Sequence, residues 1–334
     1  MLYGVGHMRI FVHESNANLT TYADGAPTTI SDLLVGAGVD VIDAPDRRSA
    51  FLSVDHSPRT LRRVEQSGVP VGNRLLLQSE PSVVYPYQFT ENIARKYGVV
   101  RQIGKPESEE LLWPQTVPLV SRHHSVPWGE REIGAFIATD RQSPVDSSMY
   151  ELRRELVPHL VGAGWSVRGV GWSDSCWQRL LFRSRIAAWT AKQRRIPNLS
   201  RHFRGVCAPR YPEIHPIPRW AKVDFLAKFR VTVVVENSPE YLSEKLFDAF
   251  LAATLPIYCG PPLRSYGIPD GLAIQVPGNV DHILLAMQSV SEERFVQYQS
   301  ELSRWARSEF AQGHSRNQFA RKVIKTVAGL GHSV

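Results

Sequence analysis

The feature that most constrains the fold is an apolar run rich in β-branched residues, FRVTVVV, from Phe229 to Val235. Such an uninterrupted run is typical of a central strand in a parallel sheet, which is buried on both faces. A polar turn beginning at Glu236 follows, then a helical pattern from Ser243 to Ala253 and a second short apolar strand that ends at Gly260. The stretch therefore predicts a β-α-β unit whose polar turn lies at the carboxyl edge of a sheet.

Strand-like and helix-like segments alternate along both halves of the 334-residue chain, which is long enough for two domains. The alternation dissolves between Lys105 and Arg131, where four prolines occur without clean periodicity. We therefore predict an α/β protein with an N-terminal Rossmann-like domain at 1–104, a linker at 105–130 and a C-terminal Rossmann-like domain at 131–334. An alternative at the end of the chain is a final helix that packs back on the N-terminal domain.

Composition indicates a protein of a reducing compartment. The three cysteines, Cys176, Cys207 and Cys259, form no disulfide framework. The sequence shows neither a secretory signal nor an apolar stretch of about 18 residues, the length that a spanning helix needs. We therefore expect a cytoplasmic protein, with a peripheral position on the inner face of the membrane as the alternative.

The segment 179–204 carries many arginines and no acidic residue, in a chain whose net charge is +7. Three interpretations of this segment are open. A solvated insertion is the first, and contact with an anionic membrane, which suits a lipid-linked acceptor, is the second. Nucleic-acid binding is the third, but no nucleic-acid motif accompanies the charge, so we expect no nucleic-acid partner.

The polar turn after Val235 has the residues of an anion and sugar site. The first N–H groups of a helix are unpaired and carry partial positive charge, and Lys245 adds a full charge there. Glu244 can accept hydrogen bonds from sugar hydroxyls, and Tyr241 can donate to a phosphate oxygen or stack. The alternative is a structural role, in which the glutamate caps the helix and the lysine is solvated.

The stretch ENSPEYLSEKLFDAFLAATLPIYCGPP resembles the signature of the fucosyltransferases of glycosyltransferase family 10. The resemblance is strong from Asp224 to Pro262 and weak in the N-terminal half. It implies a GT-B fold, with two Rossmann-like domains facing each other across a cleft, and inverting transfer of fucose from GDP-fucose. It further implies that Lys245 and Tyr241 hold the diphosphate, that Glu244 binds ribose or fucose hydroxyls, and that Asn237 shapes the pocket.

The same resemblance suggests a catalytic base. In the family this base is a glutamate in a Glu-Ser-Pro turn after an apolar strand, and here LLLQSEPSVVYP places Glu80 in the order Ser-Glu-Pro. The alternative is a glutamate that only caps the turn. The family also places an arginine near the start of the helix after the first strand of the C-terminal domain. The aligned position, Asp146 or Ser147, is not basic, so we expect Arg141 in the preceding loop to substitute.

No cofactor and no obligate metal are expected. An Asp-x-Asp motif is absent from the sequence, and His123 and His124 lack a third ligand at metal spacing. The predicted partners are a nucleotide-sugar donor and a glycan or glycolipid acceptor. Two alternatives remain for the function. The chain could use another nucleotide sugar, or it could be a non-catalytic binding or scaffold protein that kept the fold.

Overall fold

The computed structural model describes residues 8–14, 21–23, 26–105, 126–141, 143, 145, 147–178, 209–312 and 316–330. The chain divides into two units, Met1–Leu119 with Ala306–Val334, and Val120–Trp305. The predicted linker at 105–130 lies largely outside the described residues, and it stays a prediction. The basic segment predicted at 179–204 lies outside them entirely, as do His123 and His124.

The described strands and helices are given in chain order. The strands are β1 (Arg9–Glu14), β2 (Thr21–Ala23), β3 (Ala26–Thr28), β4 (Asp40–Ile42), β5 (Ala50–Val54), β6 (Arg74–Gln78), β7 (Val99–Gln102), β8 (Glu132–Ile137), β9 (Ser166–Arg168), β10 (Phe229–Val235), β11 (Leu255–Cys259) and β12 (Ile274–Gln275). The helices are α1 (Ile30–Gly36), α2 (Pro58–Gln66), α3 (Glu91–Ala94), α4 (Tyr150–Gly162), α5 (Lys222–Leu226), α6 (Glu244–Leu251), α7 (Val280–Gln288), α8 (Glu292–Trp305), α9 (Glu309–Gln312) and α10 (Arg316–Ala328).

Each unit contains a five-stranded sheet in which all neighbouring strands are parallel. The order is β4-β1-β5-β6-β7 in the first unit and β12-β11-β10-β8-β9 in the second. When the strands of each sheet are renumbered along the chain, both sheets have the order 2-1-3-4-5, a doubly wound arrangement. The order reverses between β1 and β5 in the first sheet and between β8 and β10 in the second. Ligands of such folds bind at the carboxyl ends of the strands near this reversal.

The central strands of the sheets are buried on both faces, as β6, β10 and β11 show. In β10, Val231, Val233, Val234 and Val235 are all buried, because helices cover both faces of a parallel sheet. In the first unit the aromatic rings of Phe11 and Phe51 stack with a centroid distance of 5.9 Å within a cluster that α2 completes. The structure therefore confirms the predicted α/β class with two Rossmann-like domains.

Local signals set several helix starts. Pro58 occupies the first turn of α2 and Ser57 caps it, as the sequence indicates. The sequence DSSMYELRREL favours a serine or aspartate cap for α4, but this expectation is wrong, because Met149 is the cap and makes no side-chain cap hydrogen bond. The strand β7 and the β2–β3 hairpin were not predicted, since short strands carry little periodic signal. The last helix, α10, packs against α1 within the first unit.

Among the residues that the structure describes, no helix has both the length and the apolar character needed to span a bilayer.

Candidate active site

The site begins where β10 ends and α6 starts. Ser243 caps α6, and its side-chain oxygen accepts a hydrogen bond from the Lys245 amide. The residues from Glu236 to Ser243 form the turn between the two elements. This turn lies beside the reversal of strand order between β8 and β10, where a doubly wound sheet binds its ligands.

A fully buried carboxylate organises the turn. Glu236 has 0% of its surface exposed, and its carboxylate accepts hydrogen bonds from the Ser243 amide at 3.0 Å and the Ser243 hydroxyl at 2.6 Å. The Lys245 ammonium donates to the same hydroxyl at 2.8 Å and lies 3.5 Å from the carboxylate. A buried carboxylate is costly unless it is paired, so Glu236 fixes both the helix cap and the lysine. The sequence predicts Glu236 at the edge of the sheet but indicates no function for it.

Lys245 is held yet accessible. About a fifth of its side chain, 21%, is exposed, and its ammonium lies at the first turn of α6. The partial positive charge of the helix N-terminus therefore adds to a full positive charge at one place. An anion such as a phosphate is the ligand that this combination favours.

A second ionic cluster surrounds Glu244. Lys222 of α5 donates to Glu244 at 3.5 Å and to Asp248 at 3.3 Å. Burial alone would raise the pKa of Glu244, but the charges of Lys245 and Lys222 lower it to about 2. Glu244 is therefore ionised at neutral pH, and 42% of its side chain is exposed, so it can accept hydrogen bonds from hydroxyl groups of a ligand.

This ion pairing predicts an acid dependence of stability. Because the pKa of Glu244 falls from an ordinary 4.5 to about 2 on folding, its contribution is present above pH 4.5 and is lost as the pH falls towards 2. Glu244→Gln should flatten the loss of stability over this window, measured as urea midpoints between pH 5 and pH 2. The matched control is Glu240→Gln, at an exposed residue of the same turn. Equal acid sensitivity in the two variants would contradict the prediction.

Asn237 is tied to α4 by a buried arginine. The guanidinium of Arg153 donates to the Val235 carbonyl at 2.6 Å and to Asn237 Oδ1 at 2.9 Å, while the Met149 amide donates to the Asn237 carbonyl at 3.1 Å. Burial lowers the pKa of Arg153. Asn237 is thus fixed between the end of β10 and the start of α4, and its role in shaping a pocket stays a prediction.

Sequence reasoning missed Arg153. It lies on the buried face of α4 with Tyr150, Leu156 and Val157. A charged residue on an otherwise apolar helical stripe was the available signal, because buried cations are rare without a specific partner. Its partner, the Val235 carbonyl at the end of β10, is 82 residues from Arg153 in the sequence, so the sequence could not predict this contact.

The remaining predicted donor-side residues have different environments. Tyr241 is 1% exposed, which favours packing within the turn over direct contact with a ligand, and the predicted contact stays a prediction. Arg141 has an exposed side chain, and its carbonyl accepts a hydrogen bond from Arg154 at 2.7 Å. Arg154 also pairs with Asp140 at 2.6 Å, so the loop bearing Arg141 is held at its base. Of the two aligned positions, Asp146 lies outside the described residues and Ser147 is exposed.

A cavity of about 460 Å³ opens at the same edge of the second sheet. Its lining comes from the residues before α4, the turn after β10, the segment after β11, and the end of β12 with the segment after it. It includes Ser147, Pro239, Gly260 and Gln275. This volume falls within the usual size range of small-molecule sites. Gly260 belongs both to the cavity and to the surroundings of Glu236.

Gly260 predicts a steric requirement. A Cβ atom here would meet the hydroxyl of the buried Tyr258 and would lie 2.7 Å from Cγ of Glu236. Gly260→Ala should therefore destabilise the protein by about 1–3 kcal/mol, the usual cost of overpacking, and should weaken ligand binding. Urea unfolding and donor titration measure the two effects.

The control is Gly162→Ala in α4, where a Cβ atom has open space. Because alanine is the better helix former, this variant should be neutral or slightly more stable. Equal stability of the two variants would contradict the assignment of Gly260 as a packing-limited position.

Glu80 belongs to the first unit. It follows β6 by two residues and is half-buried, so a reacting group can reach part of its side chain. Its neighbour Ser79 is fully buried and bonds to Asp55 at the end of β5. Glu80 thus lies just after the carboxyl end of β6, and its role as the base stays a prediction.

Among the described residues, no group of three or more histidines, cysteines or carboxylates could hold a metal ion.

The geometry can be compared with known proteins. No family model matches the chain, and no curated protein matches it in sequence. Solved structures match over nearly the whole chain. Sucrose-phosphate synthase from Thermosynechococcus elongatus shares 13% identity at a TM-score of 0.55, covering 98% of this chain and 100% of its own. An alpha1,3-fucosyltransferase shares 12% identity at 0.51, covering 96% and 90%.

A third match is Anabaena HepE, solved in complex with UDP and glucose, at 9% identity and a TM-score of 0.52, covering 97% of this chain and 100% of that one. The fold is GT-B. At these identities the likeness shows the fold alone, and the substrate has to be argued from the residues of the site. The predicted fold class is confirmed, whereas membership in glycosyltransferase family 10 is not.

Proposed function

We propose that this GT-B protein is an inverting glycosyltransferase that transfers fucose from GDP-fucose to a hydroxyl group of a glycan or glycolipid. The observation that carries the proposal is the Lys245 ammonium at the first turn of α6, held by the buried Glu236. Gly260, which lies against Glu236, lines a cavity of suitable size. A diphosphate matches this combination of a helix N-terminus and a fixed cation. The family signature around these residues supports fucose as the sugar.

The proposed reaction is a direct displacement. The acceptor hydroxyl oxygen forms a bond to the anomeric carbon while the bond from that carbon to the β-phosphate oxygen breaks. Glu80 takes the proton of the acceptor hydroxyl, as general bases do in such transfers. The departing GDP carries the electron pair of the broken bond, and Lys245 stabilises its negative charge. The configuration at the anomeric carbon inverts because attack and departure occur on opposite faces.

The other site residues bind sugar hydroxyls or form the wall of the donor site. Glu244, ionised by its lysine neighbours, accepts hydrogen bonds from ribose or fucose hydroxyls. Asn237, fixed by Arg153, forms part of the wall of the donor site. No residue of this proposal requires a metal ion, because the lysine and the helix N-terminus provide the positive charge.

A second candidate is the same reaction with a different donor, favoured by the structural likeness to HepE solved with UDP and glucose. Isothermal titration calorimetry with GDP-fucose, UDP-glucose and UDP separates the cases. Binding of GDP-fucose with turnover to GDP supports the main proposal, and selective binding of UDP-glucose supports the second. If none of the three binds, the alternative of a non-catalytic protein is left.

Arg141 provides a further prediction. If its exposed side chain replaces the missing diphosphate arginine, Arg141→Ala should weaken donor affinity by about 10-fold, because it removes one charge-assisted contact. The titration is compared with that of Arg230→Ala, whose guanidinium donates to the Trp128 carbonyl and stacks on the Trp128 ring. Unchanged affinity and turnover in Arg141→Ala would remove it from the donor site.

A further inference from the structure

The first unit contains a buried polar cluster that the proposed reaction does not use directly. Its centre is Asp55, the residue after β5, which is 2% exposed. Asp55 also has a backbone φ of +56°, a left-handed conformation that is uncommon for residues other than glycine. Buried residues in such conformations cluster at functional sites, where the surrounding structure holds them in place.

The Asp55 carboxylate bonds to both ends of one loop. At the first end, the amide and the hydroxyl of Ser79 donate to it at 2.9 and 2.6 Å. At the other end, the side-chain amide of Gln88 donates to it at 3.0 Å. The loop between them contains Glu80, directly after Ser79.

Gln88 strengthens this closure. Its side-chain oxygen accepts a hydrogen bond from the His56 amide at 3.1 Å, and its carbonyl accepts one from the side chain of Gln78 at 2.8 Å. The distal end of the loop is therefore tied to the carboxyl ends of both β5 and β6. Because all these groups are buried, their hydrogen bonds are expensive to break.

We propose that Asp55 is a positioning residue that acts through Glu80, because its hydrogen bonds hold both ends of the loop from Ser79 to Gln88. The inference rests on the proposed function, in which Glu80 is the base. A base must lie within hydrogen-bond reach of the proton that it removes, and a misplacement of about 1 Å can cost about 100-fold in rate. Aspartate tolerates the left-handed backbone conformation better than most residues, because its short polar side chain can form local hydrogen bonds.

The first test measures, without a substrate, whether the hydrogen bonds of Asp55 hold the loop from Ser79 to Gln88 in place. Asp55→Gly permits the same φ and removes the carboxylate, so the change isolates the hydrogen bonds from backbone strain. Hydrogen–deuterium exchange of the amides from Ser79 to Gln88 should accelerate at least about 10-fold, while β5 and β6 keep their protection. The control is Asp43→Gly, at an exposed aspartate of the same unit. Wild-type exchange rates in Asp55→Gly would overturn the proposal.

The second test measures turnover as release of GDP from GDP-fucose, with water in the place of the acceptor. Asp55→Gly should lower kcat by about 10- to 100-fold and leave the KM for GDP-fucose within about two-fold, because the donor is bound by the other unit. Asp55→Asn, which tolerates the left-handed conformation and keeps an acceptor oxygen, should recover part of the loss.

A double variant separates positioning from a merely structural role. If Asp55 acts only through Glu80, then Asp55→Gly should cause no further loss in a Glu80→Gln background. Multiplied losses in the double variant would overturn the positioning role. Full turnover in Glu80→Gln alone would instead remove the proposed base, so the two failures are distinguishable.

Discussion

Lys245→Ala should lower the rate of sugar transfer by about 100- to 1,000-fold, the usual cost of removing one oriented group that stabilises a departing charge. The ammonium is fixed by the Ser243 hydroxyl at 2.8 Å and by the buried Glu236 at 3.5 Å. It is therefore positioned before the donor binds and need not be reorganised during the reaction. Affinity for GDP, measured by calorimetry, should fall as well, because the proposed contact of the lysine with the diphosphate exists in both substrate and product.

Two comparisons make the Lys245 result interpretable. Lys228→Ala removes an exposed lysine from the same unit and should leave transfer and affinity unchanged. Lys245→Ala also leaves Glu236 with one partner fewer, so its urea midpoint has to be measured beside its activity. The Ser243 bonds to Glu236 remain in this variant and should preserve the fold. A stable Lys245→Ala protein with normal transfer would contradict the proposed diphosphate site.

Glu80→Gln should lower transfer by about 100- to 10,000-fold while leaving donor affinity unchanged, because a base acts on the acceptor hydroxyl and not on the nucleotide. Glutamine keeps the size of the side chain but cannot take up the proton. The contrast with Lys245→Ala is therefore qualitative. One variant should lose donor binding together with transfer, and the other should lose transfer alone.

The control for Glu80 is Glu91→Gln, an exposed glutamate of the same unit that pairs with Arg95. This variant should transfer at the wild-type rate, because exposed pairs on a short helix contribute little. Normal transfer by Glu80→Gln, with glycan product formed from GDP-fucose, would show that another residue takes the proton. A matched loss of donor affinity would show that Glu80 acts in binding instead.

The sequence predicted the fold class well for identifiable reasons. The strand β10 is a continuous apolar run, and the start of α2 carries a capping serine and a proline in the first turn. Both signals are local, so they survive without knowledge of the tertiary structure. The strand β7 was missed because four residues are too few to show a period.

The candidate site was predicted less completely. Asn237, Glu244 and Lys245 were predicted because they lie close together in the chain after β10, in a pattern that resembles a family signature, and their roles stay predictions. Arg153 was missed because its partners are on another element. The hydrogen bonds of Asp55 were missed for the same reason, since its bonds to Ser79 exist only where β5 and β6 end side by side.

The sequence by itself determined the strand–turn–helix unit at 229–251 and the residue types that its turn presents, because apolar continuity and helix capping act between near neighbours. Only the tertiary structure decided how those side chains are held. The buried carboxylate of Glu236 contacts both Ser243 and Lys245, and the carboxylate of Asp55 joins the ends of β5 and β6 by its hydrogen bond to Ser79. The physical reason is that a buried charge is stable only beside its partners, and the parallel packing of the strands determines which strand ends lie side by side.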